Sequence, residues 1–495
     1  MSYLEILKVA MPEMILVVTV LVVLSADLLS LGGLDLRFRA LIGAMISSAG
    51  CLAAIGWMLA LPQQANLMDG LLVLDPLNRV VKIALLGLTV CALVLSIDAD
   101  FTPHMGEYFA LVLLAAIGMI FLVSAQDILM IFLSLELTSL SLYVLTAFNK
   151  RSRFSAEAAL KYFLFGGLSA AVTLFGLSLL YGLSGATSLA GIGAAIQGPG
   201  LDPLLALAIV MTVIGFGFKV AAAPFHLWAP DTYEGAPVPS AAFIASASKV
   251  AGFFIFARVM MLGFKGAEGS GAWHAYVPGW VPVLAIVAAV SMVLGNLAAI
   301  VQSSVRRLLA YSAIAHAGYM LLGVMSHSMA GMAALVYYVV TYGLATLGAF
   351  GVVSVVKHQT GGDTLADFAG LGRRAPLLAF AMLIFMLSLA GIPPLAGFFG
   401  KFYLFSAALA TGHSDLGLLW LVVLALAMSA VSLYYYLQVL KRIYVTDAPG
   451  PVAVATTPVI TQVLVTVLAL GVVLLGFAPN SLVQPLTDAV GLMVR

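Results

Sequence analysis

The chain has 495 residues, of which 63% are hydrophobic and 9% charged, with 22 Lys+Arg against 21 Asp+Glu. So few charges cannot cover the apolar surface of a water-soluble domain of this size, and the near-even balance excludes a disordered chain, a basic nucleic-acid binder and an acidic tail protein. Lipid is therefore the solvent for most of the chain.

A hydrocarbon core of ~30 Å needs ~20 apolar residues per helix. By that rule the sequence predicts fourteen spans and an all-α integral membrane fold. Three come first, near 9–31, 38–61 and 77–97. Five follow, near 108–125, 127–148, 157–183, 203–229 and 237–262. Five more lie near 280–302, 307–326, 330–356, 376–410 and 418–440, and the last near 457–477. The first stretch carries Pro12, Glu13 and Asp27 and reads as a retained helix, not as a signal peptide. The expected division is 1–105, 106–265, 279–445 and 446–495: a three-helix segment, two five-helix units, and a last helix with a short tail.

Twelve cationic residues fall in loops after odd-numbered spans: Arg37, Arg39, Lys150, Arg151, Arg153, Arg306, Arg307, Lys357, Arg373, Arg374, Lys441 and Arg442. Four fall on the other side: Lys8, Arg79, Lys265 and Arg495. The positive-inside rule places the first set in the cytoplasm and both termini on the periplasmic side. Cys51 and Cys91 sit in apolar runs and are too few for a disulfide framework, a zinc site or an iron–sulfur cluster. No glycine-rich nucleotide motif is present.

Six cations lie inside the predicted spans: Lys82, Lys161, Lys219, Lys249, Arg258 and Lys401. Lys82 and Arg258 are expected to snorkel to an interface. Lys161 is spaced to pair with Glu157 one turn earlier. Lys219, Lys249, Lys401 and the acid Glu136 are too deep for either solution, and an ionised group there costs at least ~2.5–3.5 kcal/mol. A packing ion pair with Glu136 accounts for one lysine at most. The alternative is a proton path. Burial favours the neutral amine and a neighbouring carboxylate favours the ammonium, so a moving carboxylate makes a buried lysine take up or release a proton. An ammonium has no lone pair, which argues against a direct Na⁺ site. His226 and His316, in or beside spans, are candidate intermediates, each weighed against an ordinary buried polar role.

Two spans are interrupted. Lys219 precedes VAAAPFHLWAP, with Pro224 and Pro230; Lys401 follows GIPPLAGFFG, with Gly391, Pro393, Pro394 and Gly397. Proline frees a carbonyl, and unwound backbone inside a membrane is tolerated only in a polar cavity or buried in protein. Each break falls in the fourth span of a five-span unit. Five is odd, so two consecutive copies are inverted relative to each other, an arrangement that points to a transport site.

PFHLWAPDTYEGAPVPSAAFIASASKVAGF (224–253), GIPPLAGFFGKFYLF (391–405) and YSAIAHAGYM (311–320) resemble the signatures of the proton-translocating antiporter-like subunits of NADH–quinone oxidoreductase, respiratory complex I. The resemblance implies a fourteen-helix core with two inverted five-helix repeats, each with one broken helix. It assigns the proton relay to Glu136, Lys219, Lys249 and Lys401, with His316 in the SAIAHAGY motif. Lys401, where the M-type subunit has a glutamate, and the short segment after the last span favour subunit N. Mrp-type Na⁺/H⁺ antiporter subunits and membrane-bound hydrogenase subunits share the lysines and, with complex I subunit M, are the other readings. The resemblance further implies that NADH, FMN, iron–sulfur clusters and quinone belong to partner subunits, with no cofactor and no metal on this chain, and that the neighbours are other membrane subunits of the complex, including an antiporter-like one.

Overall fold

The computed structural model describes residues 3–61, 64–67, 70–196, 201–411, 416–447 and 457–493. It is an all-α membrane protein. In chain order the helices are α1 (Tyr3–Val9), α2 (Met11–Ala26), α3 (Leu36–Ala60), α4 (Pro76–Leu95), α5 (Met105–Ser124), α6 (Ile128–Thr146), α7 (Arg153–Ser184), α8 (Leu189–Ala195), α9 (Pro203–Lys219), α10 (Trp228–Gly235), α11 (Val238–Ala245) and α12 (Ala247–Arg258). They continue as α13 (Trp280–Ile300), α14 (Val305–Met325), α15 (Met329–Thr360), α16 (Leu371–Arg374), α17 (Pro376–Ala390), α18 (Ala396–Leu409), α19 (Leu419–Tyr444), α20 (Val459–Phe477) and α21 (Asn480–Met493). Single π-turns, Asp27–Leu31 and Val259–Gly263, extend α2 and α12. Two small hairpins, Ala65–Leu67 with Leu72–Leu74 and Ser270–Gly271 with Tyr276–Val277, lie in loops.

Among the described residues, twelve helices are long and apolar enough to cross a bilayer. Three shorter apolar helices, α9, α17 and α18, flank the two interruptions that the prolines predict. The tight junctions near 126 and 328 are real turns. Asp127 caps α6 by accepting from the Leu129 and Met130 amides, and Ser328 caps α15 by accepting from Gly331. Such caps satisfy amide groups that water cannot reach.

Close packing rests on small residues. A Cβ at Gly118 would stand 2.8 Å from the Thr138 amide nitrogen, and one at Gly295 would stand 2.5 Å from that of Ala315. These glycines let α5 meet α6, and α13 meet α14, backbone to backbone, as membrane helices do without a hydrophobic force between them. The 32-residue α15 runs through the middle of the protein, largely buried, and packs on α11, α12, α14, α17, α18 and α20.

Two expectations are revised. Lys82 does not snorkel: it is buried and pairs with Glu13 at 2.7 Å. Arg258 does not reach an interface: it is 1% exposed and ion-paired with Asp75, the N-cap of α4. In both cases an acid from the N-terminal segment is close enough to make burial cheaper than extension. The tail after α20 is helical, with Leu486, Ala489 and Val490 of α21 buried against α15 and α4. Lys161 does pair with Glu157 at 2.7 Å, and equally with Asp231.

Candidate functional site

The first interruption begins at Lys219 itself. Helix α9 ends there, Ala221 has φ +54°, and the chain turns through a cis Ala223–Pro224 bond before α10. The freed polar groups find partners from other segments. The Trp228 indole donates to the Phe218 carbonyl at 3.0 Å, and the Ala223 amide donates to Ser291 Oγ at 2.8 Å. The Lys249 amine donates to the Val220 carbonyl. Lys249 lies in α12, three residues after a kink at Ser246, and is 1% exposed.

The second interruption repeats this solution. Helix α17 ends at Ala390, and Gly391 follows with φ +89°. The Lys401 amine, from the following helix α18, donates to Leu389 O at 3.1 Å, Ala390 O at 2.8 Å and Ser429 Oγ at 2.8 Å. Gly391 is required twice over. Its φ is left-handed, and a Cβ there would stand 3.2 Å from Lys401 Nζ.

A buried amine therefore meets the C-terminal end of the half-helix at each break. That end carries about half a negative charge, worth ~0.3–2 kcal/mol to a cation. Removing the ion from water costs several kcal/mol, so the helix end offsets only part of the desolvation. No carboxylate completes the neutralisation: among the described residues neither Lys249 nor Lys401 takes part in an ion pair.

Lys219 is handled differently. Its amine donates to Ser139 Oγ at 3.1 Å, and its stem passes Gly252 of α12. Glu136, one turn before Ser139 on α6, makes no direct ion pair among the described residues but lines the same cleft as Lys219. Glu136 is half-buried. It lines, with Ser139, Tyr143, Thr173 and Lys219, a cleft of about 20 Å³, room for one water.

His316 is fully enclosed. Its Nδ1 is 2.6 Å from the Tyr338 hydroxyl and its Nε2 is 3.0 Å from that of Tyr436. Tyr436 is hydrogen-bonded to Ser312 as well. The rings of Tyr319 and Tyr342 stand 5.6 and 5.0 Å from the imidazole. A second network adjoins it: Asn296 donates to Tyr319 and accepts from Tyr435, both at 3.0 Å, and the Lys401 amine lies 5.1 Å from the centre of the Tyr319 ring.

The sequence-derived residues are thus brought into two groups, Glu136 with Lys219 about one cleft, and His316 with Lys401 about the ring of Tyr319, while Lys249 sits at the first break against Val220. His226 joins neither. It sits buried in the turn after Pro224, with Nδ1 lacking a well-formed hydrogen bond, and no hydrogen bond ties it to a lysine among the described residues. Ser246 and Ser248, which precede Lys249 on the same stretch, donate to the Ala242 and Ile244 carbonyls of their own turns. Sequence reasoning missed Ser139, Ser429, Asn296, Tyr338 and Tyr436. The signal available was phenols within apolar helices, YYVVTY (337–342) and YYY (434–436), each of which needs a partner once buried. Among the described residues no cluster of three or more His, Cys, Asp or Glu could hold a metal.

Comparison with known proteins agrees with this geometry. Residues 125–430 match the family described as NADH:quinone oxidoreductase/Mrp antiporter, transmembrane. An NADH-quinone oxidoreductase subunit N 2 of Acidobacterium capsulatum is 52% identical over 492 residues, covering 98% of this chain and 99% of that protein. A chain of respiratory complex I from Thermus thermophilus, solved with bound aureothin, superimposes with a TM-score of 0.76 at 34% identity, covering 96% of this chain and 98% of that one. A chain of the Mrp complex from Dietzia superimposes with a TM-score of 0.80 at 20% identity, covering 99% and 97%, a likeness of fold alone. The chain belongs to the antiporter-like transmembrane family of NADH-quinone oxidoreductase, in its subunit N branch.

Proposed function

We propose that this protein is the proton-translocating membrane subunit N of a bacterial NADH-quinone oxidoreductase. Redox chemistry on partner subunits drives it, and NADH, FMN, iron–sulfur clusters and quinone are held there. Two inverted five-helix units, 106–265 and 279–445, carry one broken helix each. The cation-rich loops face the cytoplasm and both termini face the periplasm of the inner membrane.

The observation that carries this reading is a set of three buried amines without carboxylate partners, two of them set on the ends of broken helices. Such groups persist at a cost of several kcal/mol only where they are used. Glu136 moving toward Lys219 favours the ammonium; moving away, it favours release. The proton passes from Lys219 to Lys249, across the His316 imidazole, which accepts at one nitrogen and donates from the other, and on to Lys401. From Lys401 it leaves to the periplasm or to a path shared with a neighbouring subunit.

The test is the assembled complex in proteoliposomes, carrying Lys219→Ala or Lys249→Ala. The expected result is a large fall in NADH-driven proton pumping with the complex intact. Full quinone reductase activity together with full pumping in both variants would overturn the proposal.

A further inference from the structure

A cavity of about 470 Å³ opens among the cation-rich loops, lined by Asp98, Glu234, Arg306, Ser354, His358 and Asp363 among others. Two of these residues belong to α15 and continue inward along it. Counting back by four from His358 gives Ser354, Phe350, Thr346, Tyr342 and Tyr338. Residues four apart form a continuous ridge on a helix. This ridge descends from the cavity to Tyr338, whose hydroxyl holds His316. Five of its six members are polar, in a helix otherwise dominated by Val, Ala, Leu and Gly.

The middle of the ridge is polar without being satisfied. The Tyr342 hydroxyl and Thr346 Oγ1 face each other with no well-formed hydrogen bond, although Thr346 is 1% exposed and Tyr342 4%. The hydroxyl of Tyr233 and Oγ1 of Thr232, on the adjoining α10, are likewise buried without partners. Buried hydroxyls without well-formed hydrogen bonds are costly, each on the order of 1–3 kcal/mol, unless water joins them. The ring of Tyr342 stands 5.0 Å from that of His316. Gly343, next in sequence, packs against Ser246, at the kink before Lys249. The inner end therefore reaches both the imidazole and the turn that carries the amine. At the outer end, Arg306 fixes α10 by donating to Ala236 O at 3.0 Å and to Asp363 at 2.7 Å. One apolar link separates cavity from column. The Phe350 ring meets the Tyr233 ring edge-on at 5.9 Å.

We propose that the Ser354–Thr346–Tyr342 ridge of α15 is the proton uptake route, a hydrated column from the cytoplasmic cavity to His316 and Lys249, closed in this conformation by the Phe350–Tyr233 pair. Each hop breaks one O–H bond as it makes the next, so the hydroxyls and their waters carry a proton with no net change in themselves. The outer and inner ends lie about 18 Å apart, twelve residues of helix from Tyr342 to Ser354. This route rests on the function proposed above and adds to it an entry from the cytoplasm that joins the relay at Lys249, beyond Lys219.

The test uses the intact complex in proteoliposomes, measuring NADH-driven pumping and quinone reduction side by side. Thr346→Val keeps the side chain's shape and removes its hydroxyl; with Tyr342→Phe it removes both donors from the middle of the column. The double variant is expected to lose pumping by about tenfold or more. Thr346→Ser, which restores the hydroxyl on a smaller side chain, is expected to pump at the unsubstituted level. Pumping retained by the double variant but lost in Lys249→Ala would overturn the route and leave the function standing. Pumping retained in Lys249→Ala as well would overturn both. Equal failure of Thr346→Ser and Thr346→Val would assign Thr346 to packing and overturn the route.

Discussion

Lys82 and Arg258 are as deeply buried as Lys249 and Lys401, yet the first two have acids at contact distance and the last two have none. The paired cations join the N-terminal helices to the rest. Glu13–Lys82 ties α2 to α4, and Asp75–Arg258 ties α4 to α12. The unpaired amines sit at the two places where a helix stops. A fixed counterion holds a proton on its amine in every conformation, which suits a brace. A carbonyl end accepts from the charged and from the neutral amine alike, which suits a group that must change state. Pairing, not depth, separates the brace from the carrier.

The sharpest test is to remove carriers. Lys249→Ala and Lys401→Ala should each lower proton pumping on the order of a hundredfold, the scale on which a positioned proton-transfer group acts. Thermal stability of the extracted complex should hold or rise, because an incompletely offset buried charge is gone. Pumping in proteoliposomes and the midpoint of heat-induced dissociation are the two readouts. Lower stability with normal pumping would reverse the assignment.

Removing one half of a brace should do the opposite. Asp75→Ala leaves the guanidinium of Arg258 buried without its acid and takes away the cap of α4, at a cost of ~3–5 kcal/mol for the broken pair. The expected outcome is loss of assembled complex at growth temperature, measured by native gel. Complex that does assemble should still pump.

Replacing both halves is gentler. Glu13→Leu with Lys82→Met keeps volume and removes both charges, a change that is neutral or stabilising by up to ~4 kcal/mol in other buried pairs. Pumping should be unchanged. Loss of pumping here would place a relay in the N-terminal helices and break the distinction between the two sets.

The two sets were only half legible in the sequence. Charge inside an apolar run marks every one of these residues equally, so depth alone could not tell Lys82 from Lys249. Glu13 and Asp75 are 69 and 183 residues from their partners, and nothing local announces those pairings. The breaks were legible because proline and glycine act on their own backbone, whatever the neighbours do. Lys401 was found beside its break since it lies ten residues from Gly391, whereas Lys249 reaches Val220 from another helix. The tyrosine shell of His316 comes from α14, α15 and α19, and only packing brings it together.

The smallest effect concerns the exposed cluster near the cation-rich loops, where Lys161 and Arg307 both donate to Asp231 at 2.7 Å. Burial pushes the Asp231 carboxyl up, but those two hydrogen bonds and charges outweigh it and hold the group below its ordinary value. A carboxyl depressed on folding adds stability above its unfolded pKa, and that contribution fades as pH falls through the folded value. Asp231→Asn should therefore flatten the acid side of the stability profile and leave it unchanged near neutrality and above, apart from a small constant loss. Lys161 and Glu157 are partly solvent-exposed, so Glu157→Gln in the same cluster should cost under ~1 kcal/mol. An acid limb that survives Asp231→Asn unaltered would show that the cluster contributes nothing. The brace of this cluster would then be its packing alone, unlike the ion pairs of the N-terminal helices.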